Sequence, residues 1–337
     1  MKTFCRRISL LLAALLLAAC LTLPALAEED ISLDTLNPDD IEEVTMETPL
    51  VSNPLPIDFT GGSVPLESGY LDDYTYEDPT ISVHISYKDV RKEYDPAYTD
   101  SAPGYLAKKD IGVFVVDVRL GDASQLRTMA NKSFTKNSAD SILAIAGRVN
   151  PVVATNGDFV TRRQEGLVIR QGTTYKDKLR GVLDVLAIDE DGDFHVFYKP
   201  GKGEVSETVN GKKVLNTFYF GPILVDHGEI PEKFTTFRFL EPDKYYCRVA
   251  ICQVGPLHYK MILTTMQETA STTGLPLKVF AQICRDEGAQ FAYNLDGGNS
   301  ASLVFRGELI NSSNKKEPRD VPDIIYFASS WNGEAAE

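Results

Sequence analysis

The sequence predicts an α+β fold, a single large domain with a mixed, largely antiparallel sheet and a few packed helices. Two observations lead to this class. Segments with strand patterns outnumber segments with helical patterns, and several neighbouring strands are separated only by short turns rich in Gly, Asn and Asp, as in β-hairpins. The chain lacks the regular alternation of strands and helices that would favour a parallel sheet.

Residues 1–27 have the three-part layout of a secretory signal. A basic start is followed by the apolar run Ile8–Leu23 and by Ala25–Ala27, after which we predict cleavage and secretion. The run is short for a membrane span, which needs about 20 apolar residues. Leu17–Cys20 also resembles a lipoprotein box, but the residues after Cys20 stay apolar. Secretion is therefore favoured over lipidation or a retained anchor.

The mature chain is predicted to have three parts. Residues 28–79 form an acidic, Pro/Ser-rich and poorly ordered arm, residues 80–330 the folded domain, and residues 331–337 a tail. The formal net charge of −14 becomes about −17 once the signal, with three basic residues and no acids, is removed. Such a surface repels nucleic acid and anionic lipid, and we do not expect nucleic acid as a partner. A small anionic substrate would need a local group of Arg side chains and backbone N–H groups.

Within the domain, apolar patterns and turn residues mark the elements in order. The predicted strands are Ile111–Leu120, Pro151–Thr155, Val182–Ile188, Phe194–Tyr198, Tyr245–Cys252, His258–Thr264, Phe291–Leu295, Ala301–Phe305, Glu308–Ile310 and Ile324–Ala328. Asp122 and Gln125 have capping-box spacing and predict a helix with Leu126, Met129 and Ala130 on its apolar side. Two more helices are predicted at Ser138–Arg148 and at Pro276–Glu287, the latter followed by Gly288.

Metal and disulfide frameworks are not predicted. The acidic turn Asp189–Asp193 resembles part of a calcium loop but lacks the downstream bidentate carboxylate, so we favour a plain hairpin turn. The histidines lack a paired zinc-ligand spacing. Three cysteines remain after the signal, and we expect Cys247, Cys252 and Cys284 to be buried, with the first two on opposite faces of one strand.

Two segments place Gly beside Asp and Asn at the end of an apolar strand. They are Asn156–Phe159 and Asn294–Ser300. Glycines let a ligand approach the backbone closely, and successive N–H groups can bind an anion. The acids and amides supply groups that react with a ligand or orient it. Because Asn, Asp and Gly are also the usual turn residues, the spacing alone leaves an ordinary tight turn open for either segment.

The order of these and other motifs resembles the phosphodiester glycosidase family, also called the uncovering-enzyme or NAGPA-like domain. Asn156–Phe159 is similar to its Asn-Gly-Gly/Asp-Phe motif, Glu165–Gly172 to its Gly-x-x-Ile-x-x-Gly segment and Phe220–Val225 to its next block. Arg248–Ile251 resembles its Arg-Thr-Ala-Ile strand, and Asn294–Ser300 its Asn-Leu-Asp-Gly-Gly-Gly-Ser signature. Arg319–Pro322 is similar to its closing Arg-x-Val segment.

The resemblance covers roughly Pro79–Ala328 and has two departures. Asn299 replaces the usual third Gly of the signature. Cys252 stands where, in the family, a Gly often follows the Arg-Thr-Ala-Ile strand. Neither removes a candidate ionic group. The resemblance implies a NAGPA-like fold and a hydrolase that cleaves the bond between an anomeric carbon and a phosphate oxygen, which releases a sugar and a phosphomonoester.

That reaction needs groups that hold the phosphate and groups that balance charge on the sugar ring. We predict Asp296 as the principal catalytic carboxylate and Asp158 as its partner. Arg248 and Arg319 can bind phosphate through bidentate donors, although either could instead be a surface or ion-paired residue. The other predicted substrate-binding residues are Asn156, Gly157, Asn294, Gly297, Gly298, Asn299 and Ser300.

Several readings stay open at this stage. The substrate predicted from the resemblance is an N-acetylglucosamine-1-phosphodiester or an envelope glycan, with no protein partner evident. The sequence requires no cofactor, although a divalent cation between Asp158 and Asp296 is an alternative. Two rival functions are a non-catalytic module that binds envelope polysaccharide and a metal-dependent phosphodiesterase that breaks P–O bonds.

Overall fold

The computed structural model describes residues 49–58, 65, 67–94, 112–237, 240–264, 274–311 and 318–333. All of them lie in one compact unit, Pro49–Glu337. The predicted secretory signal, residues 28–48 of the predicted arm and the last four residues of the tail lie outside the described residues. Among the helices that the described ranges contain, none has the length and apolar character needed to cross a membrane.

The described residues form eighteen strands and three α-helices. The strands are β1 (Thr75–Asp78), β2 (Ile81–Asp89), β3 (Gly112–Leu120), β4 (Leu126–Ala130), β5 (Val153–Asn156), β6 (Gly166–Arg170), β7 (Thr173–Lys178), β8 (Val185–Asp189), β9 (Phe194–Phe197), β10 (Thr208–Val209), β11 (Lys212–Phe218), β12 (Ile223–Asp226), β13 (Val249–Gly255), β14 (His258–Thr264), β15 (Phe291–Asn294), β16 (Leu303–Phe305), β17 (Glu308–Leu309) and β18 (Asp323–Phe327). The helices are α1 (Arg91–Tyr94), α2 (Ile142–Ala146) and α3 (Leu277–Asp286).

The strands form four sheets. A seven-stranded sheet has the order β1-β2-β3-β14-β13-β15-β12, and a five-stranded sheet the order β17-β16-β5-β18-β4. A four-stranded sheet, β10-β11-β8-β9, and the hairpin β6-β7 complete the set. Every described strand pair is antiparallel. The predicted α+β class with largely antiparallel sheets is confirmed.

The two large sheets enclose the main hydrophobic core, and a helix covers the far side of each. Because successive side chains of a strand point to opposite faces, Val249 and Ile251 of β13 lie in the central core while Ala250 lies in the outer cluster. That outer cluster holds the apolar face of α3, including Phe280. On the other side, α2 packs its Ile145 on outward-facing residues of β18.

The three described cysteines follow the same alternation. Cys247 belongs to the central core, whereas Cys252 and Cys284 lie in the cluster beneath α3. All three are buried, and none of these described cysteines forms a disulfide. The opposite orientation of Cys247 and Cys252, expected from their odd spacing, is confirmed.

The helix predicted after Asp122 is wrong. The capping box forms, with the Ser124 N–H donating to Asp122 Oδ1 at 3.0 Å and the Asp122 N–H donating to Gln125 Oε1 at 2.9 Å. It caps only a 3₁₀ turn, Ala123–Gln125, because the following residues form β4 and pair with β18. The pairing with a strand almost 200 residues away overrides the local helix signal.

Part of the predicted arm is folded onto the domain, so the boundary predicted at residue 80 lies too late. Strand β1 falls inside the predicted arm, and residues 49–58 are held by side chains of the domain. The guanidinium of Arg127, only 1% exposed, donates through Nη1 to the Pro56 carbonyl at 2.9 Å. Gln171 Nε2 donates to the Asp58 carbonyl at 2.7 Å.

The acidic turn after β8 is a hairpin turn, as predicted. The ammonium of Lys212 on β11 lies 2.8 Å from Asp191 Oδ2 and 3.2 Å from Asp193 Oδ2. Asp189 Oδ1 accepts hydrogen bonds from the backbone N–H groups of Asp191 and Asp193, both at 3.0 Å. The chain therefore supplies its own cation to this turn.

Candidate functional site

The turns after β5 and β15 meet and form one site. Asn156 Nδ2 donates to the Asp296 carbonyl at 2.7 Å, and the Asp296 N–H donates to the Gly157 carbonyl at 3.3 Å. The Ser302 N–H donates to Asn156 Oδ1 at 3.2 Å. The buried Asn156 side chain thus joins one turn to the other, and both its amide nitrogen and its amide oxygen form hydrogen bonds within the protein.

Two glycines allow this close approach. A Cβ on Gly157 would lie 2.1 Å from Asp323 Oδ2, and one on Gly297 would lie 2.3 Å from the Cys247 carbonyl oxygen. Gly298 has a φ of 59° in the left-handed region, and its N–H donates to the same Cys247 carbonyl at 2.7 Å. These predicted site glycines therefore set the position of the backbone.

The joined turns border a cavity of about 420 Å³. Its lining combines aromatic and apolar side chains with three arginines and one carboxylate. The lining residues are Phe159, Arg163, Phe220, Phe237, Leu240, Tyr246, Cys247, Arg248, Asn294, Leu295, Asp296, Gly297, Gly298, Asn299 and Arg319. The predicted residues Asp158, Asn156, Gly157 and Ser300 lie behind this surface.

Asp296 is the one carboxylate in the lining that the described residues provide, and Arg319 binds it. Arg319 Nη2 donates to Asp296 Oδ2 at 2.8 Å, and Arg319 Nε donates to the buried Ser300 hydroxyl at 3.1 Å. Burial raises the pKa of Asp296 above its usual value, while Arg319, Ser300 and Arg163 oppose that rise. The Asp296 side chain is 14% exposed and so remains accessible from the cavity.

Phe159 connects the turn after β5 with Arg319 of the Arg319–Asp296 ion pair. Its ring lies with the centroid 5.6 Å from the Arg319 guanidinium carbon, within cation–π distance. Phe159 also has a φ of 67°, which is unusual for a bulky residue and concentrates backbone strain at the cavity.

Asp158 is enclosed beneath the cavity. Its Oδ1 accepts from Arg170 Nη2 at 2.9 Å, and its Oδ2 accepts from the Tyr219 N–H at 2.7 Å. The same Arg170 nitrogen lies 3.6 Å from Oδ2 of Asp323 on β18. Burial and the nearby Asp158 raise the pKa of Asp323 to about 8, so its carboxyl holds a proton at neutral pH.

Arg248 lines the cavity, but its described hydrogen bonds point into the protein. Its Nε donates to the Leu275 carbonyl at 3.0 Å, and its Nη2 donates to the carbonyls of Lys244 at 3.0 Å and Glu241 at 3.3 Å. Burial lowers its pKa to about 10, which leaves the guanidinium charged at neutral pH. Arg248 therefore braces the cavity wall through backbone carbonyls.

Asn294 keeps one polar atom unused. Its Nδ2 donates to the Gly221 carbonyl at 2.8 Å, whereas its buried Oδ1 has no hydrogen-bond partner among the described residues. Asn299 is exposed at the rim of the cavity, and its carbonyl accepts from the Arg319 N–H at 2.7 Å. Both Asn294 and Asn299 are part of the cavity lining.

Three charged residues of this region were not singled out by the sequence analysis: Arg163, Arg170 and Asp323. Arg170 and Asp323 lie in fully buried strands. A charged residue inside an otherwise apolar strand needs an oppositely charged or hydrogen-bonding partner. This pattern in the sequence could have identified Arg170 and Asp323 as members of a buried charged group. Arg163 lies in a loop among other charged residues, and nothing in its local pattern distinguishes it.

The proposed cation between Asp158 and Asp296 does not fit this arrangement. Both Asp158 oxygens already accept hydrogen bonds beneath the cavity, so they are not directed at an ion beside Asp296. No group of three or more His, Cys, Asp or Glu side chains suited to a metal occurs among the described residues.

Comparison with known proteins places the sequence and the fold in one family. The family model described as phosphodiester glycosidase matches residues 149–328, more than half of the 337 residues. Comparison with curated protein sequences gives no match. Among solved structures, the catalytic domain of zebrafish N-acetylglucosamine-1-phosphodiester alpha-N-acetylglucosaminidase, auto-inhibited by its pro-peptide, has a TM-score of 0.58 and 19% identity. That match covers 75% of this chain and 85% of the zebrafish chain, and it shows a shared fold.

A hypothetical protein from Synechocystis is also similar, with a TM-score of 0.48, 15% identity, and coverage of 73% of this chain and 62% of that chain. The family model matches the segment that contains both turns of the site. This chain belongs to the phosphodiester glycosidase family.

Proposed function

We propose that this protein is a secreted hydrolase that cleaves the anomeric C–O bond of sugar-1-phosphodiesters. The observation that carries the proposal is the Asp296 carboxylate, partly buried in a cavity, bound by Arg319 and surrounded by further guanidinium groups. Membership of the phosphodiester glycosidase family supports this reaction class. The predicted signal sequence supports secretion, and an envelope glycan or an N-acetylglucosamine-1-phosphodiester fits as substrate.

The chemistry places different demands on the two sides of the scissile bond. Positive charge develops at the anomeric carbon as the C–O bond breaks, and an ionised carboxylate stabilises it or activates water. Asp296 suits this role because burial raises its pKa and makes it a stronger base, while Arg319 favours its ionised form. Phosphate is a good leaving group, so a strong general acid is not required.

Asp158 acts in this proposal as a positioning residue. Its hydrogen bonds to Arg170 and the Tyr219 N–H hold the turn that carries Gly157, whose carbonyl accepts from the Asp296 N–H. Asp158 therefore keeps Asp296 in place without touching the substrate.

The test is hydrolysis of an N-acetylglucosamine 1-phosphodiester by the purified mature protein in H₂¹⁸O, followed by mass spectrometry of both products. We expect free sugar carrying the label, and a loss in kcat of about 10²–10⁴-fold in Asp296→Asn. The matched control is Asp320→Asn, which removes one exposed carboxylate close in sequence to Arg319 and should leave kcat unchanged.

Other outcomes assign the rival functions. Label in the phosphate product would indicate P–O cleavage by a phosphodiesterase. Binding of sugar phosphodiesters without release of sugar from any of several of them would indicate a binding module.

A further inference from the structure

Arg163 differs from the other two arginines of the cavity in what surrounds it. Its guanidinium carbon lies 5.1 Å from the ring centroid of Phe220 and 4.7 Å from that of Phe237. These two rings meet edge to face with centroids 5.5 Å apart. Aromatic faces hold a guanidinium by cation–π attraction without using its N–H donors. The rings therefore orient Arg163 and leave its hydrogen-bonding capacity for another group.

The donors of Arg163 are poorly satisfied within the protein. Its Nε is buried and has no hydrogen-bond partner among the described residues. None of the described carboxylates lies within ion-pair distance of its guanidinium. Arg319, in contrast, is bound to Asp296, and Arg248 donates to three backbone carbonyls. An unpartnered, partly buried cation is unfavourable on its own, and a bound anion would relieve it.

The charges of the cavity lining also favour a bound anion. With Asp296 ionised, the lining carries three guanidinium charges and one carboxylate. The field of Arg163 reaches Asp296, because it lowers the pKa of that carboxyl. Arg163 and Asp296 also line the same cavity, so one ligand in that cavity is exposed to both charges. A phosphate adjacent to an anomeric carbon would place its negative charge near Arg163 and the developing positive charge near Asp296.

We infer that Arg163 is the specificity-determining residue that binds the phosphate of the substrate, with Phe220 and Phe237 as its orienting platform. This inference rests on the proposed function and deepens it. It assigns phosphate binding to a residue outside the two family turns and gives Arg248 a bracing role. Through this contact with Arg163, the cavity binds a sugar that carries a phosphate on its anomeric carbon more tightly than a neutral sugar.

Binding of N-acetylglucosamine 1-phosphate to the mature protein, measured by calorimetry, tests the inference directly. We expect Arg163→Gln to raise Kd about 10- to 100-fold, the usual effect of removing a charge-assisted hydrogen bond from a bound anion. Arg163→Lys, which keeps the charge but loses the planar fork, should lie between wild type and Arg163→Gln. Neutral N-acetylglucosamine should bind Arg163→Gln and wild type within about twofold of each other.

The matched control is Arg162→Gln, which removes the same charge from the neighbouring, exposed residue. Its Kd should equal that of the wild type. Equal Kd values for wild type and Arg163→Gln, or equal losses in Arg162→Gln and Arg163→Gln, would overturn the inference. Thermal unfolding of each variant shows whether a loss of affinity reflects a damaged fold. If Arg163→Gln is damaged, the Kd of Arg163→Lys is compared with that of the wild type instead.

Kinetics separates this inference from the proposed function. If wild type hydrolyses the phosphodiester and Arg163→Gln retains its KM, the role of Arg163 is wrong and the proposed function stands. If wild type hydrolyses no phosphodiester but binds the sugar phosphate through Arg163, the proposed function is wrong and the anion site stands.

Discussion

At the scale of single residues, the protonation of Asp296 is set by two opposing influences. Burial raises its pKa, and Arg319 lowers it through an ion pair at 2.8 Å. A carboxylate that must be ionised for catalysis loses activity as the pH falls through its pKa. Because the pKa is raised overall, the acid limb of kcat/KM should lie above the usual range of an Asp.

The residue-scale prediction concerns Arg319→Gln. Loss of the guanidinium removes a stabilising partner of the ionised form, so the acid limb should move to higher pH, in addition to any fall in rate. The measurement is kcat/KM across pH 4 to 8 for wild type, Arg319→Gln and Arg162→Gln. Arg162→Gln is the control and should leave the acid limb at the wild-type pH. A limb that stays at the wild-type pH in Arg319→Gln would show that another group controls it.

At the scale of elements, a buried charge group ties three parts of the chain together beneath the cavity. Asp158 follows β5, Arg170 ends β6 and Asp323 begins β18. One guanidinium faces two carboxyl groups, and both oxygens of Asp323 lack a hydrogen-bond partner among the described residues. The arrangement is stable at neutral pH because Asp323 retains its proton, whereas two buried carboxylates would repel each other.

This group predicts how stability depends on pH. The pKa of Asp323 is about 8 in the folded protein and 3.8 as its reference value, so between these values the folded state binds one proton more than the unfolded state. The contribution of Asp323 to stability is fully present below pH 3.8 and is lost as the pH rises through about 8. Asp323→Asn removes this titration.

The check is the free energy of unfolding in urea at several pH values from 5 to 9. Wild type should lose more unfolding free energy over this range than Asp323→Asn does. Parallel curves for the two proteins would mean that Asp323 does not retain a proton when buried.

At the scale of the whole molecule, the folded unit extends to residues before β1. Residues 49–58 supply backbone carbonyls to Arg127 and Gln171, both buried against the five-stranded sheet. The Leu55 N–H also donates to Ser124 Oγ at 2.8 Å. Without this segment, the Arg127 guanidinium would lose the carbonyls of Pro56 and Asp58 as hydrogen-bond acceptors.

A truncated chain that begins at residue 65 should therefore be less stable than one that begins at residue 49. We expect a loss of about 2–4 kcal/mol in the free energy of unfolding, from lost hydrogen bonds to a buried charge. Urea unfolding measures it, and a chain that begins at residue 28 is the control, since it should match the chain that begins at residue 49. Equal stability of all three chains would place the boundary later, as the sequence alone suggested.

The charge distribution of the whole molecule fits a small anionic ligand. The net charge is −14, yet the cavity gathers three arginines around one carboxylate. The acidic surface repels large polyanions, and the local positive field remains available to a ligand that enters the cavity.

Local patterns in the sequence predicted several features correctly. Strand β14 has the predicted bounds, His258–Thr264, because alternating apolar residues are flanked by clear turns. Helix α3 differs from its prediction by one residue at each end, since Pro276 and Gly288 mark its limits. The two Gly-containing turns were identified because backbone conformation at a turn is encoded by the residues that form it.

Tertiary structure alone decided which charged side chains reach the cavity. Asp158 and Asp296 have similar local surroundings in sequence, but Arg170 and Tyr219 enclose the first while the second faces the cavity. Arg163 became distinctive only through Phe220 and Phe237, which lie more than 50 residues away. Strand β4 likewise replaced a predicted helix because β18 pairs with it. The sequence by itself determined the fold class, the family motifs and the turns, which depend on neighbouring residues, whereas side-chain roles depend on partners that only folding brings within a few ångströms.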